Sequence, residues 1–404
     1  MGVGVERAAR TGTAGDVFLA FLRLGLTSFG GPIAHLGYFR DEIVVRRRWM
    51  GEAEYADLVA LCQFLPGPAS SQVGFALGLY RAGPLGALAA WTAFTLPSAL
   101  LLLVFALGAT LLEGPVAQGV LHGLKLVAVA VVAQAVWGMA QSLTPDRQRA
   151  AIAVASVAVT MLLAGSLGQV AAIVLGALAG LAFCRNGVAS GAAEMRFPVS
   201  RTVGAASLAL FALLLVGLPV AAPVINAHGL DLFDAFYRAG SLVFGGGHVV
   251  LPLLEAETVA SGWVSRDAFL AGYGAAQAVP GPLFTFAAYL GAAGIMTPNG
   301  VGGAAIALVA IFLPGFLLLV GALPFWDALR RLKLAQAGMR GANAAVVGIL
   351  GAALYDPVWT SAVLAPLDFV LALAGFVALV AWKAPPWTVV LALGVASGII
   401  GAVG

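Results

Sequence analysis

Two arginines lie at equivalent places in apolar stretches of this sequence. Arg23 and Arg238 each precede the phenylalanine of a Phe-Gly-Gly motif by six residues. A charged side chain in an apolar segment is costly and by default suggests a function. The planar guanidinium group can donate two hydrogen bonds at once, which suits a tetrahedral dianion. The pair therefore predicts an oxyanion site. The alternative is that both arginines reach water from the ends of their segments.

Two Pro-Gly-Pro motifs, at residues 66–68 and 280–282, would offer backbone N–H groups to the same ligand. Proline removes a backbone donor and disfavours helix in the residue before it, so each motif is expected to break a helix. A new helix that begins after the second proline directs free N–H groups and the positive end of its dipole at a ligand. The alternative is that the prolines only end helices and the glycines only allow close packing.

Polar side chains flank both breaks. Gln63 and Gln277 lie three residues before each Pro-Gly-Pro motif, where they either donate to a ligand or cap the carbonyl groups that the break frees. His248 follows the second glycine motif, but His35 is not at the matching place, which weakens a shared role in proton transfer. The candidate substrate-binding residues are Arg23, Phe29, Gly30, Gly31, Gln63, Gly67, Ser70, Ser71, Arg238, Gly245, Gly246, His248, Gln277, Gly281 and Thr285.

Composition places these motifs in a membrane protein. Of the 404 residues, 61% are hydrophobic and 10% are charged, whereas a soluble domain carries about 25% charged residues. The uncharged runs 82–112, 150–184, 202–230 and 268–326 are long enough for helices of the roughly 20 residues that cross a bilayer. We therefore predict an all-α, multi-pass membrane protein, embedded in lipid, with no cleaved signal peptide. The net charge of +3 is attributed to cytoplasmic loops, not to a nucleic-acid partner.

The sequence is internally duplicated at an offset of about 214 residues. The segment FLRLGLTSFGG at 21–31 reappears as FYRAGSLVFGG at 236–246, Trp49 matches Trp263, and the Pro-Gly-Pro motifs follow in the same order. Chance would rarely repeat such a series. We predict two homologous transmembrane halves, which are residues 1–200 and 201–404.

The charges of corresponding loops predict opposite orientations for the two halves. The loop after the first Phe-Gly-Gly motif contains Arg40, Arg46, Arg47 and Arg48, whereas its counterpart contains Glu255 and Glu257 and, as its only lysine or arginine, Arg266. Farther along, the bias reverses, and the basic residues of the second half are Arg330, Arg331, Lys333 and Arg340. Lys and Arg concentrate in cytoplasmic loops. We therefore predict an inverted-topology repeat whose helices are broken or re-entrant at the Pro-Gly-Pro motifs.

Several functions lack the residues that they need. The sequence contains no Gly-x-x-x-x-Gly-Lys loop, no His-Glu-x-x-His and no Gly-x-Ser-x-Gly motif, so neither ATP drive nor zinc or serine hydrolysis is supported. We expect no cofactor, no metal site and no enzymatic activity. A membrane-embedded lipid enzyme is a weak alternative, with Asp57 and His35 as its only candidate pair. A channel is another alternative, because inverted repeats with re-entrant segments also build pores.

The motifs resemble those of the chromate ion transporter family in its long, duplicated form. The resemblance covers roughly residues 16–142 and 231–355, and it implies an inner-membrane exporter of chromate that confers chromate resistance, with sulfate as a related substrate. Pro32 stands where the second copy has Gly247, so the two half-sites are not equivalent. The motifs that carry the resemblance are Phe-Gly-Gly-Pro at 29–32, the Arg-rich loop ending in Trp49, Phe-Gly-Gly-Gly-His at 244–248, and both Pro-Gly-Pro motifs.

Together these features predict a secondary transporter that moves a tetrahedral oxyanion outward by alternating access. The residues alone reach an anion-suited carrier, and chromate comes from the resemblance. Sulfate or another anion remains an alternative substrate, since chromate and sulfate are dianions of similar shape. A proton as coupling ion and a second copy of the chain in a homodimer are the further partners considered.

Overall fold

The structure is a computed structural model that describes residues 12–109, 114–163, 165–185, 197–329 and 332–403. Within these ranges every regular element is helical, which confirms the predicted all-α fold. Arg330 and Arg331, which contribute to the charge argument for orientation, lie outside the described residues.

The first half contains α1 to α7 in its described residues. At the start of α1 the Thr13 hydroxyl accepts a hydrogen bond from the Asp16 N–H, and the Asp16 carboxylate accepts one from the Thr13 N–H, which caps the helix. α4 turns a corner at Gly83, whose φ is 65°. The helices are α1 (Ala14–Thr27), α2 (Gly31–Phe39, continued by a π-helix over Arg40–Arg46), α3 (Glu52–Phe64), α4 (Ala69–Ala109), α5 (Pro115–Leu143), α6 (Arg147–Leu162) and α7 (Ser166–Phe183).

The second half repeats this order after one additional helix, α8. Short 3-10 segments over Gly247–Val249 and Leu283–Thr285 precede α10 and α12. The helices are α8 (Arg201–Ile225), α9 (His228–Ser241), α10 (Val250–Thr258), α11 (Arg266–Ala276), α12 (Phe286–Ala293), α13 (Gly300–Ala322), α14 (Trp326–Leu329), α15 (Lys333–Ala353), α16 (Thr360–Ala362), α17 (Pro366–Val380) and α18 (Pro386–Val403).

Helices of membrane-spanning length recur through both halves. Side chains on α8 are exposed in the protein although they are apolar, as at Val216, which is 68% exposed, and this is what a lipid-facing helix requires. Among the described residues, seven helical segments are long and apolar enough to cross a membrane: Ala69–Gly108, Pro115–Leu143, Ser166–Phe183, Arg201–Ile225, Gly300–Leu329, Lys333–Ala362 and Pro386–Val403. The multi-pass membrane protein predicted from composition is confirmed.

Both Pro-Gly-Pro motifs interrupt helical structure, as predicted. The chain leaves α3 at Phe64 and starts α4 at Ala69, and in the second half it leaves α11 at Ala276 and reaches α12 through a 3-10 turn. The central glycines, Gly67 and Gly281, have φ values of 120° and 99°, in the region that favours glycine. The breaks therefore follow from local backbone chemistry.

Each break is anchored in the opposite half of the protein. The Gly67 N–H donates to the Val243 carbonyl at 2.7 Å, and the Gly281 N–H donates to the Ser28 carbonyl at 2.9 Å. Ser28 and Val243 are themselves equivalent, since each directly precedes a Phe-Gly-Gly motif. Reciprocal contacts of this kind are typical of two units related by an approximate two-fold axis.

Helices of each half also pack against helices of the other half. α18 packs along α5, and α7 packs along α15. Both contacts are close enough to exclude side chains: a Cβ on Gly123 of α5 would lie 2.6 Å from the Leu393 carbonyl oxygen, and one on Gly341 of α15 would lie 2.1 Å from the Gly176 carbonyl oxygen. Small residues allow this approach between membrane helices. The largest hydrophobic core consequently contains residues from both halves, while the boundary between residues 1–200 and 201–404 stays a prediction.

Candidate functional site

A cavity of about 410 Å³ lies where the first Phe-Gly-Gly motif faces the second Pro-Gly-Pro motif. Its size falls within the range of small-ligand sites, roughly 300–1,000 Å³. α5 and the loop between α17 and α18 complete its wall. Six residues singled out from the sequence line it, and they come from both halves: Phe29, Gly30, Gly31, His248, Gln277 and Gly281.

The start of α2 forms one wall of this cavity. Gly30 and Gly31 have φ values of 98° and 78°, which allow the chain to reverse from α1 into α2 without side-chain clashes. Gly30 makes no side-chain cap for α2, and Ala34 and Tyr38 continue the cavity wall along one face of that helix. The first turn of a helix presents N–H groups without intrahelical partners. This wall is suited to an anion.

The second Pro-Gly-Pro segment forms the opposite wall. Gln277 follows the last residue of α11 and lines the cavity together with Gly281 and Leu283. The Gly281 N–H is already bonded to the Ser28 carbonyl, and a Cβ at this position would lie 2.9 Å from the Ser98 hydroxyl oxygen. Gly281 therefore shapes the cavity, and its amide is not available to a ligand. The polar group of this wall is the Gln277 carboxamide, whose Nε2 atom also donates to the Tyr273 carbonyl at 3.4 Å.

His248 reaches the cavity from the 3-10 turn that follows the second glycine motif. Its Nδ1 atom lies 2.7 Å from the Tyr273 hydroxyl oxygen of α11. When that hydroxyl donates to Nδ1, the ring hydrogen is on Nε2, where it can be donated to an anion. The tyrosine thereby holds the imidazole in this orientation.

Two polar residues of the cavity were not identified from the sequence. Lys383 lies in the loop between α17 and α18 and brings a positive charge to the cavity, and Gln134 faces it from α5. Within the described parts of the chain no carboxylate pairs with Lys383. Neither residue belongs to a duplicated motif, so the repeat gave no signal for them.

Nearby arginines of the first half have their own counter-ions. Arg46 and Arg47 donate to the Glu42 carboxylate at 3.1 Å and 2.7 Å, and Arg40 donates to Glu52. Burial raises the pKa of Glu42, but the hydrogen bonds and charges of the two arginines outweigh it and hold that pKa below its usual value. Three arginines of this loop are therefore engaged by carboxylates.

The two arginines at the centre of the sequence hypothesis lie outside this cavity. Arg23 is on an exposed face of α1. Arg238 donates to the carboxylates of Asp234 at 2.9 Å and Glu257 at 3.0 Å, and Glu257 also accepts from the Ser166 hydroxyl at 2.7 Å. Two carboxylates already engage the guanidinium group. The structure thus does not bring the arginines together with the glycine motifs, and Lys383 is the cation at the cavity.

The other first-half candidates also lie away from the cavity. Gln63 is exposed near the end of α3, and Gly67 is buried, with its N–H bonded to the Val243 carbonyl. Ser70 and Ser71 are buried in the first turn of α4, where the Ser70 hydroxyl oxygen lies 3.4 Å from Nδ1 of His35.

The remaining second-half candidates are engaged in local structure. A Cβ on Gly245 would lie 3.0 Å from a methyl group of Leu143, and Gly246 lies near Met139, so both glycines face α5. The Thr285 hydroxyl donates to the Pro282 carbonyl at 2.8 Å. Of the two pseudo-equivalent half-sites, the described cavity therefore uses the glycine motif of the first half and the Pro-Gly-Pro motif of the second.

Comparison with known proteins decides the family. The family model described as chromate transporter matches residues 15–181 and again residues 230–401. The chain belongs to the chromate transporter family. The two separate matches confirm the duplication, and α8 lies between them. Family membership gives the protein a role in chromate transport across a membrane and identifies it as a transporter, not an enzyme.

Curated relatives agree with this assignment. The chromate transport protein of Pseudomonas aeruginosa is 29% identical over 96% of this chain and 91% of that protein. The chromate transport protein of Cupriavidus metallidurans is 28% identical over 87% of this chain and 84% of that protein. A probable chromate transport protein of Synechococcus elongatus is 28% identical over 83% and 82% of the two chains. No solved structure matches the chain.

Proposed function

We propose that this chromate transporter is a secondary carrier that exports chromate and binds it in the cavity of about 410 Å³ between the halves. The observation that carries the proposal is the convergence of six motif residues from both repeats on this cavity. Binding sites at the interface of repeats are typical of secondary transporters. Chromate resistance follows from export across the inner membrane.

The cavity offers a dianion several donors and one full positive charge. The N–H groups at the start of α2, beside Gly30 and Gly31, supply donors at the positive end of a helix dipole. The Gln277 carboxamide and Nε2–H of His248 donate from the other side, and the Lys383 ammonium group supplies charge. A carrier must release its substrate as well as bind it. Donors that are mostly neutral suit this need, because they bind a dianion less tightly than a cluster of charged groups would.

Inverted topology supports alternating access in this proposal. Among the described residues, α8 is the helix that lies between the two matched regions. If each repeat crosses the membrane an even number of times, a single connecting helix places the second repeat upside down. The loop charges of Arg46 to Arg48 against Glu255 and Glu257 predict the same arrangement. Two conformations related by such a repeat would open the cavity alternately to each side.

We base the direction of transport on loop charge. The charge rule places Arg147 and Arg149, which follow α5, in the cytoplasm, and we assign the loop with Lys383, which lines the cavity, to the same side. We propose that chromate enters there and leaves on the other side, with a proton as coupling ion. Sulfate is the second candidate substrate, because a tetrahedral dianion of similar shape would meet the same donors.

Uptake of radiolabelled chromate into inverted membrane vesicles tests the proposal. Saturable uptake is expected in the wild type, with sulfate as a competitor and faster uptake when a proton gradient is imposed. Lys383→Gln is expected to raise the half-saturating concentration at least about tenfold, which corresponds to the roughly 1.5–3 kcal/mol of a hydrogen bond to a charged group. Lys333→Gln is the matched control, since this exposed lysine at the start of α15 does not line the cavity. Equal effects of both substitutions, or flux that does not saturate, would contradict a carrier site at Lys383.

A further inference from the structure

A second cavity, of about 480 Å³, lies on another part of α5. It is enclosed by α5, the end of α4, α11 and α12, and its polar lining includes His122, Lys125, Asp267 and Tyr289. None of these residues lies in a duplicated motif. Lys125 stands nine residues before Gln134 of the first cavity, a separation of roughly 13 Å along the helix. The two cavities are therefore at different depths of one membrane-spanning helix.

Lys125 is the cation of this second cavity. Its side chain is only 12% exposed, and its Nζ atom donates to Asp267 Oδ1 at 2.9 Å. The Asp267 side chain, at the start of α11, is 74% exposed. A nearly buried ammonium group is thus neutralised by a carboxylate that water can solvate fully. Replacing that carboxylate by another anion leaves Lys125 paired and lets Asp267 turn into solvent.

The other charged groups of this cavity have fixed partners. His122 Nε2 lies 2.8 Å from Asp368 Oδ1. The second oxygen of Asp368 accepts from the N–H groups of Leu364 and Ala365, at 3.0 Å and 2.9 Å, and so caps α17. Asp368 is committed to the helix start and to His122. The exchangeable pair in the cavity is Lys125 with Asp267.

α5 and α11 both contribute to the walls of the two cavities and contact each other closely. Ala276 at the end of α11 and Gln277 directly after it line the first cavity, and Asp267 at the start of α11 lines the second. On α11, Gly274 lies between these points, and a Cβ there would lie 2.1 Å from the carbonyl oxygen of Leu124, which directly precedes Lys125 on α5. The close α5–α11 contact therefore lies beside the second cavity, and the two helices form a wall that both cavities share.

We propose that the second cavity is an oxyanion site on the far side of the transport path, where Asp267 competes with the anion for Lys125. This inference rests on the proposed function and specifies how the substrate leaves. A tetrahedral dianion that reaches the cavity displaces the Asp267 carboxylate from the ammonium group. Return of the carboxylate then displaces the anion to water. Asp267 accordingly keeps the affinity low on the side where chromate is released.

Equilibrium binding of radiolabelled chromate to the purified full-length protein tests the second site. In a Lys383→Gln background, which weakens the first cavity, residual binding is expected and is lost when Lys125→Gln is added. Asp267→Asn in the same background is expected to tighten binding roughly two- to fivefold, as loss of a competing, solvent-accessible ion pair allows. Arg266→Gln is the matched control, since Arg266 faces Glu255 and Asp356 instead of the cavity, and it should leave binding unchanged.

Further variants separate the possible outcomes. Lys125→Arg keeps the charge and should keep the residual binding, which distinguishes loss of the site from loss of the fold, and every variant must elute as a single species on size exclusion. No residual binding in the Lys383→Gln background, or an Asp267→Asn affinity equal to that of Arg266→Gln, would overturn the second site. Absence of chromate flux in wild-type vesicles would instead overturn the proposed function, and the binding result would still decide the site.

Discussion

Replacing Arg238 separates a structural role from a substrate-binding role. Arg238 is 33% exposed, and it holds two carboxylates that are largely buried, Asp234 at 8% and Glu257 at 13% exposed. Arg238→Gln would leave both of them without their cation. Removing one partner of a buried ion pair costs about 3–5 kcal/mol, and partial access of water to Arg238 places the expected loss near the lower end of that range.

Thermal unfolding of the purified protein and the amount found in membranes measure this loss. Arg238→Gln is expected to unfold at a clearly lower temperature than the wild type. The triple variant with Asp234→Asn and Glu257→Gln should recover most of the stability, because replacing all the charges of a buried ion pair is often close to neutral. Arg23→Gln, on an exposed face of α1, should stay within about 0.5 kcal/mol of the wild type.

Transport by the triple variant then decides whether Arg238 has a structural role or binds the substrate. If Arg238 only joins helices, the triple variant transports chromate with a half-saturating concentration close to that of the wild type. A fully stable Arg238→Gln protein that has lost transport would refute the structural role and would indicate that Arg238 binds the substrate.

The glycine contacts give two further predictions. Gly281→Ala places a Cβ 2.9 Å from a serine hydroxyl oxygen at a φ of 99° and should cost about 2–4 kcal/mol. Gly262→Ala, at a φ of 75° with no atom within 4 Å, should cost only about 1–2 kcal/mol; equal melting temperatures of the two variants would contradict the packing argument. Gly274→Ala places a Cβ 2.1 Å from the Leu124 carbonyl oxygen and should push α5 and α11 apart, so that chromate exchange slows severalfold more than in Gly217→Ala, where no atom lies within 4 Å. Unchanged exchange would mean that this contact does not govern transport.

Much of the architecture could be predicted because it depends on local chemistry and on repetition. Uncharged runs of spanning length, helix breaks at two Pro-Gly-Pro motifs and the duplication are all properties of the sequence itself. The sequence also contains an indication of a structural role for Arg238. Asp234 stands four residues before Arg238, one helical turn away, which favours an ion pair.

The composition of the site depended on long-range packing and could not be predicted. Lys383 reaches the cavity only because the last two helices of the second half pack onto α5 of the first. Glu257 meets Arg238 through the packing of α10 against α9. Pro32 in place of Gly247 did show that the half-sites differ, but which of them contributes to the cavity follows from the arrangement of the helices.

The location of bound chromate tests the central claim most directly. Crystals grown with chromate and measured at the chromium absorption edge should show an anomalous peak in the first cavity, within hydrogen-bonding reach of the start of α2 at Gly31 and of the Gln277 carboxamide. A weaker peak beside Lys125 is expected only at higher chromate concentration. A peak beside Arg23 or Arg238, with none between Gly31 and Gln277, would contradict the account.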